Sequence, residues 1–261
     1  MKKQQLIAVT GLVAVLAASA SATTWQFDLT PQNGGGPGYG YNAAGGSVKN
    51  ISSTFNDVTE RLTFEATFGN SAAGSLPDGY WLVLNDGPNP KGTSDELAIF
   101  YFDTGVTNNG QAKLTAYGYN GQNGNSSYFD GSNASGTQAP DKIASSLTTS
   151  NFVNSLAVVN NANGTRTMKF DINAALVNNH DPKYGPANNW FGTGFDNKVG
   201  IWFHPVDGLD AKYGTDGFLK KFEFDKQGWV DGSNLEAVPE PFTMGALGLM
   251  ALAARRKKKN A

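Results

Sequence analysis

The mature part of this chain predicts an all-β fold, an antiparallel β-sandwich, and three observations carry that expectation. About ten short segments either alternate apolar and polar residues or run apolar for several positions, the two signatures of half-buried and fully buried strands. Clusters of turn formers separate them roughly every 8 to 15 residues. Only residues 172–178 have the composition for a turn or two of helix. A charged fraction of 16 % and 32 glycines suit a loop-rich β protein better than a helical enzyme. No fixed-period repeat is visible, which disfavours a solenoid or a propeller.

Taken in order, residues 25–29 alternate as a half-buried strand should. Residues 34–46 are glycine-rich and predict a loop whose bulky residues are Tyr39 and Tyr41. A strand over 47–55 is followed by the clearest alternation in the chain, 58–68. There Leu62, Phe64, Ala66 and Phe68 share one face, and Thr63, Glu65 and Thr67 the other. Residues 79–84 form a continuously apolar strand that runs into a turn-rich stretch at 85–92. Strands are expected over 96–102 and 112–119, then a polar surface excursion over 121–140. Further alternation marks 143–147, 156–160 and 165–172. Residues 199–203 read as an apolar strand ending before His204 and Pro205. Residues 218–224 alternate with Phe218, Lys220, Phe222 and Phe224 on one parity.

Composition excludes several functions. A net charge of −2 leaves no electrostatic footprint for nucleic acid. The absence of cysteine excludes a disulfide framework and thiol catalysis, so packing, with or without bound ions, must supply the stability.

The two ends carry transport signals. Lys2 and Lys3 precede an apolar stretch at 6–18, and Ala20-Ser21-Ala22 forms a small-x-small cleavage site. At the other end, Val238-Pro239-Glu240-Pro241 predicts an exposed, non-helical strip, because proline fixes φ and removes backbone donors. The uncharged run that follows, 242–254, makes roughly 20 Å of helix against a hydrocarbon core of ~30 Å. That length suits a transient anchor. Arg255, Arg256, Lys257, Lys258 and Lys259 then form a basic stop that stays cytoplasmic. The expected organisation is a signal peptide at 1–22, a β-sandwich at 23–226, a linker at 227–237 and a sorting segment at 238–261.

This motif, anchor and basic cluster closely resemble the PEP-CTERM sorting signal of Gram-negative bacteria. The resemblance implies recognition of Pro239, Glu240 and Pro241 by an exosortase, a membrane-embedded protease that removes the tail. The implied partners are signal peptidase and the secretion machinery, then the exosortase, with brief contact to the inner membrane. The implied destination is the cell surface or an exopolysaccharide matrix. It covers under a tenth of the chain and is silent on the body. The body's aromatic strands and long loops are loosely similar to the jelly-roll, concanavalin-A-like lectins and glucanases, a likeness of fold without a matched motif.

Candidate chemistry in the body is sparse. His180 and His204 read as turn and strand-end residues, and no Gly-x-Ser-x-Gly elbow accompanies them. Glu223 and Asp225 put two carboxylates on one strand face, yet lack the further glutamate of sandwich glucanases. Asp207, Asp210 and Asp216 lie among glycines and are candidate calcium ligands; Asp86 and Asp95 form a second cluster. The same Asp-Gly pairs also read as simple turns. Tyr80, Trp81, Tyr101, Tyr117 and Tyr119 suit either sugar stacking or core packing. The expectation is a non-enzymatic body, structural or carbohydrate-binding, with no cofactor other than the calcium those aspartates would hold; the alternatives are an interaction module without a sugar ligand and a glycoside hydrolase.

Overall fold

The computed structural model describes residues 24–29, 40–56, 58–85, 97–108, 110–122, 139–185 and 198–236. In chain order the first strands are β1 (Thr24–Leu29), β2 (Gly40–Asn42), β3 (Ser47–Asn56), β4 (Arg61–Gly69) and β5 (Gly79–Asn85). Next come β6 (Ala98–Asp103), β7 (Lys113–Gly118), β8 (Asp141–Ser145), β9 (Val153–Asn160) and β10 (Arg166–Asn173). A short helix, α1 (Ala175–Asn178), precedes β11 (Lys198–Asp207), β12 (Asp210–Tyr213), β13 (Leu219–Glu223), β14 (Lys226–Gln227) and β15 (Trp229–Glu236).

These strands build two large antiparallel sheets and a separate two-stranded one, β12-β13. The first runs β1-β3-β4-β10-β9; the second runs β2-β15-β11-β5-β6-β7-β8, with β14 beside the end of β11. The all-β expectation holds. One apolar core lies between the sheets. Leu62, Phe64, Ala66 and Phe68 of β4 are fully buried, as the alternation requires, and so are Met168, Phe170 and Ile172 on neighbouring β10. Tyr80, Leu82 and Leu84 of β5, Phe100 and Phe102 of β6, and Ile201 and Phe203 of β11 meet them from the second sheet. Each fully buried Phe or Leu contributes about 1.5–3 kcal/mol, so this layer dominates the fold's stability.

The second sheet is covered on its other face too. Trp81, Val83, Ile99, Tyr101 and Tyr117 point away from the shared core into a second apolar cluster. The β12–β13 hairpin closes over part of it with Leu219 and Phe222. This explains why β5 and β6 read as unbroken apolar runs: every residue of both is buried.

Several boundaries differ from expectation for identifiable reasons. Most of the segment expected to be a linker at 227–237 is instead strand: β15, over 229–236, lies between β2 and β11 and pairs with both. The helix is a single turn, because Ile172 and Asn173 stay in β10 opposite Leu62 and Arg61. Part of the glycine-rich loop, Gly40–Asn42, is drawn into a strand by β15. Beside it, a Cβ on Gly45 would stand 2.1 Å from the Pro205 carbonyl, so this close approach requires glycine. Strand β11 continues through His204 and Pro205, so His204 is a mid-strand residue. In β13 a register shift opposite Lys212 and Tyr213 puts Leu219 and Phe222 inside and breaks the simple alternation expected over 218–224.

Polar clasps join the strands at the margins. Arg61 of β4 donates from Nε to Asp171 Oδ1 of β10 at 2.9 Å and pairs with Oδ2 through Nη2. Asn154 Nδ2 of β9 donates to the same carboxylate at 3.0 Å. The Arg61 guanidinium holds the Asp171 carboxyl below its ordinary range. A depressed native pKa adds stability that is complete above the unfolded value, about 3.9, and is lost as pH falls through the native one. Asp171→Asn should therefore cost about 1–3 kcal/mol at pH 7 and flatten the stability profile below about pH 4. Urea midpoints at pH 7 and pH 3 test this; equal deficits at both would show that the charge is not what matters.

Candidate functional site

The aromatic residues singled out for sugar stacking are placed by strand parity, and they face inward. Tyr80 points into the core between the sheets, with Phe102 and Phe203 at ring distances of 5.1 and 4.9 Å. Its one-residue neighbour Trp81 points the opposite way. There its ring stacks on His204 at 3.6 Å and 7°, meets Trp202 edge-on at 5.1 Å, and its Nε1–H donates to Gln227 Oε1. Tyr101 is enclosed by Tyr117 and Phe222, and Tyr117 Oη accepts the Leu219 amide at 2.9 Å. None of Tyr80, Trp81, Tyr101, Tyr117 and Tyr119 is more than 3 % exposed. Tyr80, Trp81, Tyr101 and Tyr117 each pack against other rings, and all five are enclosed, which is a packing role.

The three aspartates of the candidate calcium site go to separate partners. Asp207, at the end of β11 and buried, accepts at Oδ2 from the Ser71 and Ser75 hydroxyls, each at 2.6 Å. It thereby fastens the 70–78 loop. Asp210 opens β12 and faces Lys221 Nζ at 2.7 Å, which also reaches Glu223 at 2.7 Å. Asp216, at the hairpin tip, pairs with Lys142 at 2.6 Å and accepts the Phe218 amide. Lys221 and Lys142 hold the Asp210 and Asp216 carboxyls below their ordinary range. Among the described residues no group of three His, Cys, Asp or Glu side chains converges as metal ligands do. Asp86 and Asp95 lie outside the described residues.

The proposed carboxylate pair does not share a strand face. Glu223 is the last residue of β13 and is bound to Lys221, whereas Asp225 lies past the strand end, its amide donating to the Asp207 carbonyl at 3.0 Å. His180 follows α1, with Nε2 3.1 Å from Asp141 Oδ2, a pair that ties this turn to β8. A small cavity of about 230 Å³ opens beside it, lined by Asp141, Lys142, Lys183 and Tyr184.

A second concave feature is a groove of about 800 Å³ at one side of the two sheets. One wall is β9, the last strand of the first sheet, through Val153, Leu156 and Val158. The other wall is the start of β7 and the turn after β8, through Lys113 and Leu147. Its lining mixes the apolar Ala112, Leu147, Val153, Leu156 and Val158 with the polar Thr104, Gln111, Lys113 and Ser146. Sequence reading missed it because no motif marks it; the one signal was the absence of any charge from 153–160.

The signal cleavage residues Ala20 and Ala22, the sorting residues Val238, Pro239, Glu240 and Pro241, and the basic stop 255–259 lie outside the described residues. Within the described residues no helix is long and apolar enough to cross a membrane. Comparison with protein-family models, with curated proteins and with solved structures finds no match for this chain.

Proposed function

We propose that this chain is the precursor of an exported cell-surface or exopolysaccharide-matrix protein of a Gram-negative bacterium, processed by an exosortase. Its body is a jelly-roll, concanavalin-A-like β-sandwich that serves a structural or carbohydrate-binding role and catalyses no reaction. The observation that carries this reading is the order of Pro239-Glu240-Pro241, the uncharged run 242–254 and the basic cluster 255–259, behind a cysteine-free body. The three parts meet separate physical requirements, in turn recognition, temporary anchoring and orientation. The burial of Trp81 and the core tyrosines favours the structural role over sugar binding, since a stacking platform needs an open ring face. The reading assigns no cofactor, and the engagement of Asp207, Asp210 and Asp216 by serines and lysines supports that.

Intact mass of the protein recovered from cell surface and medium tests the handling. A species beginning at Thr23 and ending near Val238 to Pro241, absent from an exosortase-deficient strain, is the expected result. Glu240→Ala should leave uncut precursor in the membrane. A C-terminus retaining 255–261 in both strains would make the tail an ordinary anchor and remove the matrix assignment.

A further inference from the structure

We propose that the edge of β9 that no described strand covers pairs antiparallel with β9 of a second copy of this chain. An edge strand presents a row of backbone donors and acceptors, and proteins that stay monomeric blunt such edges with charges, prolines or short length. Leaving aside the β12–β13 hairpin and the two-residue β14, the two large sheets have four edges. Strand β2 is three residues long, β1 carries Asp28, and β8 has five residues that include Asp141 and Lys142. Strand β9 is different: VNSLAVVN has eight residues with no charge, proline or glycine, and among the described strands it pairs only with β10. Val159 is 48 % exposed, and Leu156 and Val158 remain half-buried against the groove.

The partner is a second copy because this edge complements itself. Opposed residues of an antiparallel pair point to the same face, and a two-fold contact makes the pairing reciprocal. With Ala157 opposite Ala157, Leu156 of each copy meets Val158 of the other on the groove side. Ser155 then meets Val159 on the outer side. No register opposes like charges, because β9 has none. The inference deepens the structural reading of the body and rests on it; it is independent of how the tail is handled.

The test uses the sequence's lack of cysteine and the neighbour of Ala157. Within its own chain Ala157 lies opposite Lys169, so Ala157→Glu suits the monomer. Across the proposed contact it sets two carboxylates face to face. Sedimentation of the full chain should show a dimer, and Ala157→Glu should weaken it by at least about tenfold. Under mild oxidation Ala157→Cys should give a covalent dimer, since opposed Cα atoms of an antiparallel pair lie about 4.5–5.5 Å apart, within the span a disulfide bridges. Val58→Cys, at a site 67 % exposed on the β3–β4 turn, should not. Cross-linking at 157 no better than at 58 would overturn the proposal, as would a dimer indifferent to Ala157→Glu, which is how association through the apolar tail would behave. Tail cleavage observed together with a monomeric body would sink this contact and leave the sorting reading standing. Loss of tail cleavage with an Ala157-dependent dimer would do the reverse.

Discussion

Phe203→Ala should destabilise the body by about 3–5 kcal/mol, a large share of the ~5–15 kcal/mol that domains possess. Phe203 sits in the middle of β11 and is fully buried. Its ring lies 4.9 Å from Tyr80 on the adjacent strand, and 5.6 and 5.8 Å from Phe64 and Phe68 on the opposite sheet. It therefore touches both layers at once. Those neighbours are fixed by separate ladders, so they cannot collapse into the space a truncated side chain leaves, and the cavity term adds to the lost transfer energy. The urea midpoint should fall with an unchanged slope. Phe203→Leu, which keeps most of the volume, should cost under about 1.5 kcal/mol. A loss below ~1 kcal/mol for the alanine variant would mean that the two sheets do not meet at this residue.

The fold was legible where one physical rule acted alone. In β4 one face meets the core and the other does not, so 61–69 alternates as written. Strands β5 and β6 are covered on both sides and show it as unbroken apolarity. Strand β15 was illegible because its sequence, with Asp231, Gly232, Ser233 and Asn234, has weak strand preference. Pairing with β11 and β2 overrides that preference. Pro205 misled for a related reason. Its carbonyl accepts from Gly228, so its missing donor falls at the break between β14 and β15 and leaves the ladder to β5 intact.

Site chemistry was less legible than fold, since closeness along the chain does not aim side chains at one point. Asp207, Asp210 and Asp216 lie within ten residues, yet the turn and hairpin between them direct each carboxylate to a different element. The groove is the converse case. It joins β9 to residues near 111–113 and 146–147, which no spacing rule connects. Aromatic richness was equally ambiguous, because a ring that stacks on a sugar and one that fills a two-sided sheet have the same sequence signature.

Arg166→Met should cost about 3–5 kcal/mol at neutral pH, and the cost should depend on pH. Arg166 opens β10 and is buried, with Nη1 donating to the Pro77 carbonyl at 2.7 Å and Nε to Asn160 Oδ1 at 2.9 Å. Nη1 also lies 3.5 Å from Asp78 Oδ1. Burial holds the Asp78 carboxyl above its ordinary range, and the Asp207 charge pushes the same way; the Gly208 amide and the Arg166 guanidinium oppose them. Removing the guanidinium takes away a cation that acts on that carboxylate, so the native pKa of Asp78 should climb further. A native pKa raised above the unfolded value gives stability that is complete below about pH 4 and is lost as pH rises through the native value. The deficit of Arg166→Met should therefore be larger at pH 7 than at pH 4, when each is measured against the unaltered chain. Adding Asp78→Asn to that background should recover part of the loss at pH 7 and little at pH 4. Should the deficit be the same at both pH values, its source would be the hydrogen bonds to Pro77 and Asn160, and Asp78 would contribute nothing to it.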